Sequence, residues 1–184
     1  MNSFDEVALL LLIVVPLFGS LSMMFMPGGQ GKESWYFAIF ISALSLALAL
    51  IVFANYDYDA GGFQFLASYE WLPGPLDINL SLGIDGISAP MVLLNGIVLM
   101  GGVLVSQTVK YRPRDFFVLL FALSAGVYGV FIVRDLFFLF FFYELAVLPM
   151  YLLIGIWGSS TDFGTFLRTK EYGAMKLLIF LVAG

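Results

Sequence analysis

Leu136-Phe-Phe-Leu-Phe-Phe-Phe-Tyr-Glu-Leu-Ala-Val-Leu-Pro-Met-Tyr-Leu-Leu-Ile-Gly-Ile-Trp157 is the stretch on which the fold turns. Crossing a bilayer takes about 20 mostly apolar residues. This run is long enough, and it carries one acidic side chain, Glu144, and one helix breaker, Pro149. At ~1.5 Å per residue, Glu144 lies roughly 12 Å from the first residue of the run, near the middle of a hydrocarbon core ~30 Å thick. A glutamate is too short to reach water from there. A charge at that depth costs about 2.5–3.5 kcal/mol on insertion scales. Pro149 has no N–H, so the carbonyl of Leu145 loses its usual helical partner and needs a neighbouring helix or a water. A buried carboxyl beside an under-satisfied carbonyl suits a short water chain, and Glu144 reads as a proton-carrying group. The alternative is a neutral, hydrogen-bonded glutamic acid that acts as packing glue.

The rest of the chain has the same character. Of 184 residues, 61% are hydrophobic and only 11% charged, against about 45–50% and 25% in soluble domains. The expected fold is an all-α polytopic membrane protein, with five complete transmembrane helices, a truncated sixth and an external β-hairpin between helices 2 and 3. Cysteine and histidine are both absent, so proton chemistry falls to carboxylates and lysines. No metal-ligand spacing, dinucleotide fingerprint or phosphate loop occurs, and no metal or cofactor is expected. No basic run suggests a nucleic-acid surface.

Residues 1–56 read as helices 1 and 2, over Val7–Met26 and Trp35–Ala54, with Pro16 bending the first and Pro27-Gly28-Gly29 ending it. Ala43 with Ala47, and Ser45 with Ala49, are small-xxx-small pairs that permit close helix contact. Residues 57–85 form the hairpin. Phe63, Phe65, Ala67, Tyr69 and Trp71 alternate, as do Leu76, Ile78, Leu80, Leu82 and Ile84, on either side of Leu72-Pro73-Gly74-Pro75. Residues 86–184 hold helices 3 to 6. Asp85 or Ser88 can cap the third, which runs to about Ser106. The fourth covers roughly Phe116–Val133, with Ala122 and Gly126 as another close-packing pair. The fifth is Leu136–Trp157. Gly158 to Lys170 is polar loop, and a sixth apolar run begins at Glu171. The Phe-rich start of the fifth helix, Phe137 to Phe142, reads as lipid-facing or packing surface.

Lys32, then Lys110, Arg112 and Arg114, then Arg168 and Lys170 collect in alternate loops, against Arg134 alone opposite. The basic side is expected to be cytoplasmic, with the N-terminus and hairpin outside. Trp35 and Trp157 fall at the cytoplasmic boundary. Lys176 lies about five residues inside the sixth run, ~8 Å along its axis. It reads either as a snorkelling anchor or as a relay partner for Glu144.

Leu82-Gly83-Ile84-Asp85-Gly86-Ile87-Ser88, Tyr143-Glu144-Leu145-Ala146-Val147-Leu148-Pro149-Met150-Tyr151 and Leu153-Ile154-Gly155-Ile156-Trp157-Gly158 resemble the antiporter-like subunit M of respiratory complex I (NADH:quinone oxidoreductase), the bacterial counterpart of mitochondrial subunit 4. The likeness covers the whole chain but only the N-terminal portion of that family's sequence. It implies a site in the bacterial inner membrane, other complex I membrane subunits and the lipid bilayer as partners, and no direct NADH binding. It also implies a proton-channel role for Glu144. A lysine early in the sixth helix matches Lys176, while the family's direct partner for the glutamate is a lysine on a seventh helix. Family members have about fourteen helices, with two inverted repeats, and the chain reads as a truncated or split subunit. The leading function is therefore a fragment of a proton-translocating subunit that couples electron transfer to pumping. The alternatives are a related cation/proton antiporter or hydrogenase subunit, or a non-conducting structural piece.

Overall fold

A computed structural model describes residues 3–26, 31–72, 78–159, 161–162 and 167–183. Its helices are α1 (Ser3–Phe25), α2 (Gly31–Asn55), α3 (Ser88–Val105), α4 (Pro113–Ile132), α5 (Leu136–Trp157) and α6 (Lys170–Ala183). Strands β1 (Gln64–Leu72) and β2 (Ile78–Ile84) lie between α2 and α3. The short strands β3 (Thr161–Asp162) and β4 (Leu167–Arg168) lie between α5 and α6. The first five helices are each long and apolar enough to cross a membrane. α6 has 14 residues, ~21 Å of rise.

Helix α1 packs on α4, α4 on α5, and α2 on α3. Two buried clusters hold the bundle. At the hairpin end, Leu9, Leu12, Val52, Val92, Tyr128 and Ile132 meet Leu82 and Ile84 of β2. At the other end, Met23, Ile41, Leu99, Val103, Phe117 and Phe121 pack together. Lipid is as apolar as these side chains, so close fit rather than water exclusion drives helix association. The tightest fit is α4 on α5. A Cβ on Gly126 would lie 2.7 Å from the backbone nitrogen of Ala146 and 2.9 Å from the Phe142 carbonyl oxygen, and the Phe142 ring sits directly on Gly129. Of the two small-residue pairs in α2, Ser45 and Ala49 are buried. Gly96 of α3 lies against Ala49. Ala43 and Ala47 are exposed.

The hairpin forms as an antiparallel pair, with Ala67 opposite Leu82 and Tyr69 opposite Leu80. Its turn, residues 73–77, lies outside the described residues, as do Pro27, Gly28 and Gly29. The alternation expected in β1 holds only at its centre. Register shifts fall between Gln64 and Ala67 and between Glu70 and Leu72, and Phe65 has φ +56°. Bulges of this kind re-aim the side chains beside them. Phe65, Ala67 and Tyr69 pack on the core, whereas Phe63 and Trp71 remain exposed. The hairpin is latched to the α4–α5 turn. The Arg134 amide donates to the Ser81 carbonyl at 2.9 Å, and the Arg134 guanidinium lies 4.5 Å from the centre of the Phe63 ring.

Several helices start earlier than the sequence expectation, α1 at Ser3 rather than Val7 and α6 at Lys170 rather than Glu171 among them. α2 starts at Gly31 rather than Trp35, and α4 at Pro113 rather than Phe116. α2 and α4 gain a polar first turn, which can stand beyond the hydrocarbon, and Pro113 suits a first helical position. The polar loop after α5 contains the paired strands β3 and β4.

Asp85 caps the entry to α3. Its Oδ1 accepts from the amides of Ser88 (2.7 Å) and Ile87 (3.2 Å). Hydrogen bonds from Ser88, above all its backbone N–H, hold the Asp85 carboxyl below the usual aspartate range. The stability that this adds is fully present above that range and is lost as pH falls through the lowered native value. Asp85→Ala is expected to cost about 1 kcal/mol of folding stability at neutral pH. Asp85→Asn keeps an acceptor and should cost less. Unfolding midpoints in detergent, taken at neutral and acid pH, check both; the gap between wild type and Asp85→Ala should narrow in acid.

Candidate functional site

Asp135 starts α5 by accepting from the amides of Phe137 (2.9 Å) and Phe138 (3.2 Å). One face of the helix then follows α4: Phe138, Phe142 and Pro149 are buried. Pro149 stays within the unbroken helix. A second face follows α6. The Tyr143 hydroxyl donates to the Leu181 carbonyl at 2.9 Å, Gly155 lies against Ala174, and Lys170 Nζ donates to the Ile156 carbonyl at 2.7 Å.

Glu144 occupies neither face. It stands in an exposed stripe made by Phe137, Phe141, Leu148 and Leu152, whose spacings of three and four residues share one side of a helix. The burial read from the sequence is not supplied by the described residues of this chain: the acid is exposed and faces away from α1–α4, with large apolar side chains above and below it. The Phe run divides as its periodicity requires. Phe138 and Phe142 are packed, while Phe137, Phe140 and Phe141 are exposed.

Lys176 is also exposed, with Nζ 4.6 Å from the centre of the Tyr172 ring. Among the described residues no ion pair joins it to Glu144. α6 runs antiparallel to α5, and the Tyr143–Leu181 hydrogen bond sets residue 181 level with residue 143. Lys176 is five residues earlier and Glu144 one residue later, so Lys176 lies ~6 Å nearer the basic end than Glu144.

The structure also shows an internal polar seam that periodicity did not single out. The Asn95 side-chain amide in α3 donates to the Ser124 carbonyl (3.2 Å) and hydroxyl (3.1 Å) in α4. The Ser20 hydroxyl in α1 donates to the Val118 carbonyl at 2.9 Å. Tyr128 is fully buried, and its hydroxyl meets no hydrogen-bond partner among the described residues. Asn95 could have been flagged, since it is the one amide side chain in an otherwise apolar helix. The two tryptophans expected at one membrane boundary each bond a backbone carbonyl. Trp35 Nε1 donates to Val103 (2.9 Å) and Trp157 Nε1 to Tyr111 (2.8 Å).

No family model matches the chain. Curated relatives do. NAD(P)H-quinone oxidoreductase chain 4 3 of Picosynechococcus is 35% identical over 173 residues, which cover 94% of this chain and 30% of the relative. NAD(P)H-quinone oxidoreductase chain 4-2 of Synechocystis is 34% identical over 173 residues, covering 94% and 29%. NAD(P)H-quinone oxidoreductase chain 4 of Acaryochloris marina is 35% identical over 176 residues, covering 94% and 33%. The chain thus spans about a third of the length of these relatives. Among solved structures, a chain of "Respiratory complex I from Thermus thermophilus with bound NADH" superposes with a TM-score of 0.70 at 22% identity. The match covers 95% of this chain and 32% of that one, and it shows a shared fold. These relatives are named as chain 4 of a quinone oxidoreductase, in line with the resemblance carried by the Pro-Met-Tyr and Gly-Ile-Trp-Gly motifs.

Proposed function

We infer that this chain is the N-terminal portion of a chain-4-type, antiporter-like membrane subunit of NADH:quinone oxidoreductase, and that it moves protons rather than electrons. Glu144 carries the reading. It is the only carboxylate inside α5, about 12 Å along a helix ~33 Å long, on a side that the helices of this chain leave open. A carboxyl at that depth against hydrocarbon is expensive. In the membrane the part of the stripe around Glu144 therefore needs a polar cover, from protein or water, and such a cover would give the proton a route. Redox chemistry would reside in partner subunits of the same complex, and charge changes there would drive Glu144 between its protonated and ionised states. Lys176, ~6 Å nearer the basic end than Glu144, is the second group on the route, with water between the two. The N-terminus and hairpin lie outside, and the end with Lys110, Arg112, Arg114 and Lys170 faces the cytoplasm.

The test is proton movement per NADH oxidised by the assembled complex. Glu144→Gln should collapse that ratio, and Lys176→Met should lower it by a smaller factor. A Lys176→Met complex that pumps at the wild-type ratio would reduce Lys176 to an anchor. Normal pumping by Glu144→Gln would remove the acid from the route.

A further inference from the structure

We propose that the groove between α1, α4 and α5 at the basic end of the bundle binds an anionic phospholipid, with its phosphate on Arg112 and Arg114 and one acyl chain along Met24, Leu119 and Leu152. These five residues line a cavity of about 290 Å³, at the small end of the range for ligand sites.

Charge favours an anion. Arg112 reaches Asp115 Oδ2 with Nε (2.7 Å) and Nη2 (2.6 Å), and Arg114 Nε reaches Oδ1 at 3.1 Å. One carboxylate is shared by two guanidinium groups, so one positive charge is left over at the mouth. Arg114 cannot swing away freely, because its Nη1 also donates to the Met26 carbonyl at 3.1 Å. Arginine presents a planar fork of donors that matches a phosphate.

Polarity favours a lipid over a free anion. Trp157 marks the headgroup level: its Nε1 is tied to the Tyr111 carbonyl, and its ring stands edge-on to Phe116 with centroids 5.5 Å apart. Below that level the wall is apolar, and Met24 and Leu152 open outward, 57% and 40% exposed. Charge above a hydrocarbon-facing slot is the pattern of headgroup pockets between transmembrane helices. The proposal needs only the membrane placement of the five helices and is independent of the proton route.

The test uses Trp157 as the reporter. Trp35→Phe and Trp71→Phe remove the other tryptophans of the chain, and the protein is reconstituted in vesicles of brominated-chain phosphatidylglycerol or phosphatidylcholine diluted in unbrominated phosphatidylcholine. Phosphatidylglycerol should reach half-maximal quenching at a mole fraction about fivefold lower, as expected for one unit of charge at the surface. Arg112→Gln with Arg114→Gln should bring the two lipids level. Arg112→Gln alone, at an exposed position, should narrow the gap and serves if the double variant does not fold. Mass spectrometry of lipid retained by the chain with all three tryptophans should show the same phosphatidylglycerol enrichment. Equal quenching by both lipids, or a preference that survives the arginine changes, overturns the proposal. So does displacement of phosphatidylglycerol by millimolar inorganic phosphate, which would make this a site for the free anion.

Discussion

In the assembled complex, Glu144→Gln is expected to slow proton flow through this subunit about a hundredfold while the complex still forms. The size follows from what the carboxylate does. Without it, a proton must cross the middle of the membrane with no titratable group there, and an uncompensated charge at that depth costs about 2.5–3.5 kcal/mol, roughly two powers of ten in rate. The sparing of assembly follows from the structure. Glu144 lies on the exposed stripe of α5, no hydrogen bond or ion pair of its side chain occurs among the described residues, and glutamine has its shape. Glu144→Asp keeps the titrating group but draws it back by one methylene, so it should retain part of the flow. Proton uptake by energised vesicles, set against the rate of NADH oxidation, reads both, and the level of assembled complex in the membrane reads the control.

Gly126→Val should have the largest effect on the fold, destabilising the bundle by about 3 kcal/mol, the upper end of the usual overpacking cost. A side chain there meets the Ala146 backbone nitrogen and the Phe142 carbonyl of α5. Backbone cannot rotate aside as a side chain can, so α5 must move bodily off α4. Gly129→Val runs into the Phe142 ring near its root and should cost a similar amount. Gly101, where a Cβ meets nothing within 4 Å, is the control. Gly101→Ala should be neutral or stabilising by up to about 1 kcal/mol, as usual for glycine to alanine inside a helix. Thermal unfolding in detergent micelles ranks the three. Because α5 carries Glu144, Gly126→Val should also disturb proton flow, unlike Gly101→Ala.

The apolar runs made the helices legible, because a bilayer leaves a chain few other ways to satisfy its backbone. Alternation gave the hairpin, but it could not show the bulges at Phe65 and near Trp71. Nor could it show that β2 docks on the α4–α5 turn, where Leu82 bridges to Val133 and the Ser81 carbonyl accepts from the Arg134 amide, a contact between distant parts of the chain. Depth along α5 was readable for Glu144 from residue counting alone. The face it presents was not, because α5 is apolar nearly all round and gives no moment to orient it. The Ala122–Gly126 pair was half informative. Gly126 makes the contact with α5, together with Gly129 one turn later, while Ala122 is only partly buried. The offset of Lys176 from Glu144 also escaped the sequence, since it depends on where α6 meets α5 after the loop.

Cysteine accessibility at position 144 probes the placement on which the proton reading stands. The chain contains no cysteine, so a single substitution reports one position. In sealed membranes holding the assembled complex, a membrane-impermeant maleimide should label Asp59→Cys from the hairpin side and Lys110→Cys from the opposite side. Glu144→Cys should stay unlabelled from either side under the same conditions. Labelling of Glu144→Cys as fast as Asp59→Cys would put that position in bulk water and contradict a mid-membrane acid.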